Sequence, residues 1–191
     1  AGAWLAEHGQ VDEAIPHALA SGEPDMAADL VERYVESALA DRRWMAIERW
    51  LGLLPPEQVH GRPALLLAQA WVQRLRGQDV AFGLTLDRVD ALLAEPAGAS
   101  DPAAIGRWRA EATFMRRTFL APYDLEAGAT LDAATRAAET IPWETHAAAS
   151  TALVYVGAAR QMIGDEVGAI RVLTRALAEC AREPIHVIGA V

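Results

Sequence analysis

The groups that could carry chemistry in this 191-residue chain are few and scattered. Its five histidines, His8, His17, His60, His146 and His186, form no His-Glu-x-x-His motif and no i, i+4 pair, so none presents the two-ligand helix face of a zinc site. The single cysteine, Cys180, excludes an internal disulfide framework and a cysteine-rich metal site. Placed on a helix two residues before Arg182, it reads as a buried, inert thiol. The carboxylate pairs Glu32/Glu36 and Asp87/Asp90 lie one helical turn apart, but nothing beside them serves as an acid–base partner, so they read as solvated faces rather than a glycosidase pair. Gly-x-Ser-x-Gly is missing, and a P-loop cannot be built because the chain contains no lysine. The expected inventory is therefore no catalytic residue, no metal ligand and no cofactor in this segment.

Charge narrows the partners. All 17 basic residues are arginine, against 26 acidic ones, for a net charge of −9. Such a surface repels a polyphosphate, so the segment is a poor candidate for binding DNA or RNA by itself. The absence of Lys and Asn reads as codon bias in a GC-rich genome. The longest apolar stretch, residues 147–159, contains Ser150 and Thr151 and is too short to span a bilayer. No charged-then-apolar leader opens the sequence. A cytoplasmic protein with no membrane partner is expected.

The elements that must position any site are helices. Alanine, at 41 residues, is the best helix former and a weak core builder, which points to closely packed helices. Alternating β-branched runs are absent, arguing against a large sheet. Helix signals recur throughout: a tail over 3–8 closed by Gly9, then 11–20 with Pro16 expected to kink or delay it, then a helix from Pro24 or Asp25 to about Ala40. Further helices are predicted over 42–54, from Pro63 to near Gly77, on to about Glu95, and from Asp101-Pro102 along the stripe Ile105, Trp108, Ala112, Met115 and Phe119. Pro122 and Pro142 mark two more starts; the last complete helix runs from Asp165 to about Arg182, and 185–191 reads as an element cut short. Trp44, Trp50, Trp108 and Trp143 are expected in the core. This succession predicts an all-α fold, an α-solenoid of antiparallel helix pairs in two continuous parts, 1–95 and 96–191.

One turn pattern repeats, a helix-ending Gly followed five residues later by Ala: Gly9 and Ala14, Gly22 and Ala27, Gly164 and Ala169. Glycine supplies the left-handed turn, and the small alanine lets two helices approach closely. The unit over 153–181 resembles a tetratricopeptide repeat: Leu153, Val156 and Gly157 on its first helix, Gly164-Asp165 at the turn, and Ala169, Leu173 and Ala176 on its second. Arg160 stands where an aromatic is usual, and Ala181 where Pro is usual. Residues 63–95 fit more loosely, with Ala70 at the small position and Phe82 where Ala is expected.

Residues 4–78 carry a more specific resemblance, in Trp4-Leu5-Ala6-Glu7-His8-Gly9, Asp12-Glu13-Ala14-Ile15, His17-Ala18-Leu19, Ser21-Gly22-Glu23, Ala27-Ala28, Trp44, Trp50-Leu51, Leu54-Pro55, Arg62-Pro63 and Ala70-Trp71. This run is similar to the region after the nucleotide-binding part of MalT-like regulators, the large ATP-dependent activators with LuxR-type C-termini. The resemblance implies a parent that is a signal-transduction ATPase with numerous domains. These would be a P-loop module that binds and hydrolyses ATP, a winged helix, a tetratricopeptide-like superhelix that senses an inducer, and a DNA-binding helix-turn-helix. The present sequence would be an excised front part of the superhelix, partnered by a small-molecule inducer or a regulatory protein and open to self-association. DNA would be contacted only through a C-terminal domain that is not in this sequence. A protein-interaction scaffold of another signalling protein, such as a kinase, is the rival reading.

Within a solenoid, ligands enter the groove lined by neighbouring first helices. If Leu66 and Ala70 face a partner helix, Trp71, Arg74 and Leu75 point to that concave side; by the same geometry so do Thr151, Val154, Ala158 and Gln161. Arg109, Arg116 and Arg117 fall off the Trp108/Met115 stripe, where they either pair at the surface with Glu111 or bind an anionic or hydroxylated inducer. The candidate ligand-binding residues are therefore Trp71, Arg74, Arg109, Arg116, Thr151, Val154 and Gln161.

Overall fold

Among the described residues, four helices begin with proline at their first turn, Pro24, Pro56, Pro63 and Pro102, where its missing N–H has no helical acceptor to lose. Four hairpin turns among the described residues close on a residue with positive φ, namely Gly22, Arg42, Gly77 and Gly164. In each, the next residue donates its N–H back to a carbonyl five positions earlier: Glu23 to Ala18 (3.1 Å), Arg43 to Ala38 (2.8 Å), Gln78 to Gln73 and Asp165 to Arg160 (both 2.9 Å). That is the glycine-type helix stop. The residue five after each turn, Ala27, Ile47, Phe82 or Ala169, is buried. The Phe82 departure thus keeps the packing role and changes only the size of the side chain.

The computed structural model describes residues 10–94, 101–120, 127–140 and 147–182. The chain divides into two compact units, Ala1–Ser100 and Asp101–Val191. The first contains α1 (Val11–Ala20), α2 (Pro24–Ala40), α3 (Trp44–Leu53), the single turn α4 (Pro56–His60), α5 (Pro63–Leu75) and α6 (Asp79–Ala94). The second contains α7 (Pro102–Met115), which runs on as a π-helical turn over Arg116–Leu120, then α8 (Ala127–Thr140), α9 (Ala147–Met162) and α10 (Glu166–Arg182). Among the described residues there is no strand, and the fold is an all-α helical-repeat fold of antiparallel pairs. None of the described helices is long and apolar enough to cross a membrane.

In the first unit α1 lies beside α3 and α2 beside α5, with α1–α2, α2–α3, α3–α5 and α5–α6 also packed. Large side chains fill the space between them, chiefly Ile15, Val31, Ile47, Trp50, Leu65 and Phe82. In the second unit α7, α8, α9 and α10 each pack on the next. Its interior is mostly alanine: Ala134, Ala137, Ala152, Ala159, Ala169 and Ala176 are buried. The α9–α10 crossing is close at Gly157, where an added Cβ would stand 2.5 Å from Cγ and Cδ2 of Leu173.

Several expectations change in detail. The helix predicted over 42–54 begins only at Trp44, because Arg42 takes the left-handed turn that precedes it. The Pro55-Pro56 stop is followed by α4, which the sequence reading did not place. Pro16 neither delays nor ends α1, which runs through it with one backbone hydrogen bond fewer. The starts at Pro122 and Pro142, the segments 3–8 and 185–191, and Trp143 lie outside the described residues.

Candidate functional site

Among the described residues, polar contacts tie the helices together; Arg76 beyond the end of α5 pairs with Glu48 of α3 at 2.5 Å, and three further nodes gather around Asp12, Arg62 and Asp165. In the first, Asp12 on α1 accepts from Trp50 Nε1 on α3 at 2.5 Å and from Arg43 at 3.3 Å, and it pairs with Arg49. Arg43 also lies over the Trp50 ring, its guanidinium carbon 5.4 Å from the centroid. Burial pushes the Asp12 carboxyl upward, but the Trp50 and Arg49 hydrogen bonds and the charges of Arg49 and Arg43 outweigh it and hold the group below its ordinary value. Trp50 was expected in the core and is fully buried. Its indole N–H needs an acceptor there, and Asp12, 38 residues away, supplies it.

In the second node Arg62, the residue that opens α5, reaches Asp29 Oδ1 at 2.5 Å and Glu32 Oε2 at 3.0 Å, with Asp25 Oδ1 at 3.8 Å. Burial lowers the affinity of this guanidinium for its proton, and the hydrogen bonds and charges of Asp29 and Glu32 more than restore it. Glu32 is therefore half-buried and paired, not part of a merely solvated face. In the third, Asp165 accepts from Arg160 at 2.5 Å and from the Gly168 N–H at 2.9 Å, capping α10. Those two bonds hold the Asp165 carboxyl below its usual range. They also give Arg160 a role at the position where the repeat pattern has an aromatic.

The candidate ligand residues fall in both units. In the first, Trp71 is only 7% exposed, so most of its ring belongs to the core. Arg74 is partly exposed and stands 3.9 Å from Asp79 across the α5–α6 turn; the neighbouring Gln73 has its Oε1 buried without a hydrogen-bond partner among the described residues. In the second, Arg109 is exposed, Arg116 half-buried at the start of the π-helical turn, Val154 half-buried and Gln161 exposed. Val154, Ala158 and Gln161 share one face of α9. The side chain of Thr151 lies outside the described residues. Glu111 is 2% exposed, so it does not lie at the surface, where it was expected.

The π-helical turn has a consequence the sequence did not signal. Phe114, Phe119 and Tyr155 come together edge to face, with centroids 5.8 to 6.1 Å apart. Phe119 belongs to the expected stripe, but Phe114 does not. An extra residue in a helical turn re-aims the side chains beyond it, which no regular 3,4 spacing can anticipate. Thr118 Oγ1, in the same turn, is buried with no hydrogen-bond partner among the described residues. The cluster thus joins the end of α7 and the π-helical turn to Tyr155 of α9, the helix that also carries Val154 and Gln161. Among the described residues no group of three or more His, Cys, Asp or Glu could hold a metal ion.

Comparison with known proteins gives a partial likeness. Over 93 residues, 49% of its length, the chain is 34% identical to the serine/threonine-protein kinase PknK of Mycobacterium tuberculosis, and equally to that of Mycobacterium bovis. The matched stretch is 8% of the length of those kinases, so the chain spans only a small part of them. No family model matches, and no solved structure matches.

Proposed function

We propose that this chain is the signal-sensing helical segment of a large, MalT-like, LuxR-type transcriptional activator of the cytoplasm. It binds an inducer or a regulatory protein and controls ATP-binding and DNA-binding parts carried elsewhere in the same polypeptide. The observation that carries this reading is the α9–α10 hairpin. Its close crossing at Gly157 and Leu173 gives it a tetratricopeptide-like build, and its first helix leaves Ala158 and Gln161 open and contributes Tyr155 to an aromatic cluster. The residue run from Trp4 to Trp71 supports the MalT-like assignment. The mechanism is a difference in binding free energy between two arrangements of the parent protein, with no bond made or broken in this segment.

A specific observation favours a second reading. The 34% identity to serine/threonine kinases over half of the chain fits a helical scaffold attached to a kinase, which would dock a regulatory peptide on the same face. The parent coding sequence separates the two, by a P-loop and a helix-turn-helix or by a kinase domain. Functionally, the full-length protein is titrated with sugars, aromatics and alkanes while ATP binding and self-association are followed. A response to one class, lost in Gln161→Ala, supports the sensor; no response to any class defeats it.

A further inference from the structure

The π-helical turn over Arg116–Leu120 holds a contact that a regular helix does not make. Phe114 and Phe119 are five residues apart, and at about 100° per residue an α-helix sets such a pair roughly 140° apart around its axis. Their rings nevertheless meet edge to face, with centroids 6.1 Å apart. Winding with i→i+5 bonds takes more residues into each turn and brings position i+5 back over position i. The same winding sets Phe119 against Tyr155 of α9, with centroids 5.8 Å apart and the rings at 90°. Phe114 is fully buried and meets Tyr155 as well.

Two opposing effects act on this turn. Each edge-to-face contact favours the π register, and Phe119 makes two of them. Against it stands Thr118, whose Oγ1 is buried without a hydrogen-bond partner among the described residues. A buried hydroxyl left unpaired is costly, and a threonine in a regular helix can donate to the carbonyl four residues back, here that of Phe114. Nor does the regular register strand Phe119 in water. It would continue the buried positions Ala112 and Met115 at spacings of seven and four residues. A lost hydroxyl bond and a lost aromatic contact are of the same order, so the two registers lie close in free energy.

We propose that residues 116–120 form a two-register switch, π while Phe119 rests on Phe114 and Tyr155, and α when it leaves them. The change re-aims the side chains of the turn by as much as one residue's rotation, about 100°, and withdraws Phe119 from the Tyr155 ring. Anything that meets Tyr155 in place of Phe119 selects the α register, which couples α9 to the winding of the end of α7. The switch lies within this chain, so it holds for a sensor and for a kinase-attached scaffold alike.

Nuclear magnetic resonance tests it on the 191-residue chain without added ligand, by relaxation dispersion and saturation transfer at the amides and carbons of the turn. In the wild type, Arg116–Leu120 should exchange on the microsecond-to-millisecond scale with a minor state whose carbon shifts are those of a regular α-helix. Tyr155→Leu keeps apolar volume but removes the ring edge, so the α population should rise roughly two- to tenfold, the equivalent of one edge-to-face contact. Thr118→Val removes the unpaired hydroxyl at nearly constant shape and should lower the same population. If Tyr155→Leu does not fold, judged by the amide shifts of α8 and α10, Thr118→Val still decides. A minor state with coil shifts would mean fraying, not a change of register, and overturns the proposal. So does a turn that shows no exchange in the wild type or in either variant, and so does an α population that Thr118→Val raises or leaves unchanged.

Discussion

The α1–α2 and α9–α10 hairpins share a turn but hold their helices by different means. Around Gly22 the space is filled: Ile15 and Trp50 occupy the core, α3 and α5 cover α2, and charged nodes at Asp12 and Arg62 tie the helices at their edges. Around Gly164 the space is removed instead: Gly157 lets α10 come so near that Leu173 sits where a Cβ would be, with alanines to either side. A filled crossing depends on volume and on satisfied polar groups. A close crossing depends on the absence of volume.

The filled crossing should be broken most severely at Trp50. Trp50→Ala removes the largest buried side chain and strips Asp12 of its indole donor, so a loss of about 3–5 kcal/mol is expected. Chemical denaturation measures it, and hydrogen exchange should show the weakening concentrated in α1 and α3. A loss below about 1 kcal/mol would mean that the first unit does not depend on this filling.

The close crossing should respond in the opposite sense to volume. Gly157→Val forces atoms into Leu173 and should cost about 1–3 kcal/mol. Adding Leu173→Ala should return part of that loss, although the same truncation is harmful in the parent sequence. This double-mutant cycle isolates the contact. Additive losses would show that Gly157 is not there for approach.

What could be read from the sequence follows from the same contrast. Helix limits were legible because proline starts and glycine stops act within a few residues: Pro24, Pro63, Gly22 and Gly164 stand where expected. The Gly157–Leu173 crossing was legible because both residues belong to one short repeat. The Asp12–Trp50 bond was not, since its partners are 38 residues apart and meet only through packing. Nor was the turn at Arg42, where the left-handed residue is not glycine, or the burial of Glu111 and most of Trp71, since helical spacing fixes a direction and not what stands opposite. For the candidate site, the shared face of Val154 and Gln161 could be read, whereas the aromatic cluster depends on a π-helical turn that breaks the spacing.

The Asp12 node sharpens the comparison through pH. Its carboxyl is held below the ordinary value near 3.8, so in the unfolded chain it takes up a proton at higher pH than in the folded one. The stability it contributes is therefore fully present above the unfolded value and is lost as pH falls through the folded one. Asp12→Asn keeps an acceptor for Trp50 but removes the charge. Because the Asp12 side chain is 41% exposed and its charge is screened by solvent, the loss at neutral pH should stay below about 1 kcal/mol, and the decline in stability below about pH 5 should flatten. A wild-type acid limb in Asp12→Asn would place the sensitivity in other carboxylates.

The smallest effect concerns the turns themselves. Arg42 adopts φ 56° and makes the same backward hydrogen bond as the glycine turns, from the Arg43 N–H to the Ala38 carbonyl. A side chain in this conformation costs roughly 1 kcal/mol, partly offset because glycine would have more freedom to lose on folding. Arg42→Gly should therefore raise stability by about 0.5 kcal/mol, whereas Gly22→Ala and Gly164→Ala, at φ 75° and 82°, should each lower it by about 1 kcal/mol. Thermal denaturation of the three variants side by side is sufficient. Destabilisation by Arg42→Gly would mean that the Arg42 side chain contributes more to folding than its backbone strain costs, and the four turns would no longer be one device with one misfit residue.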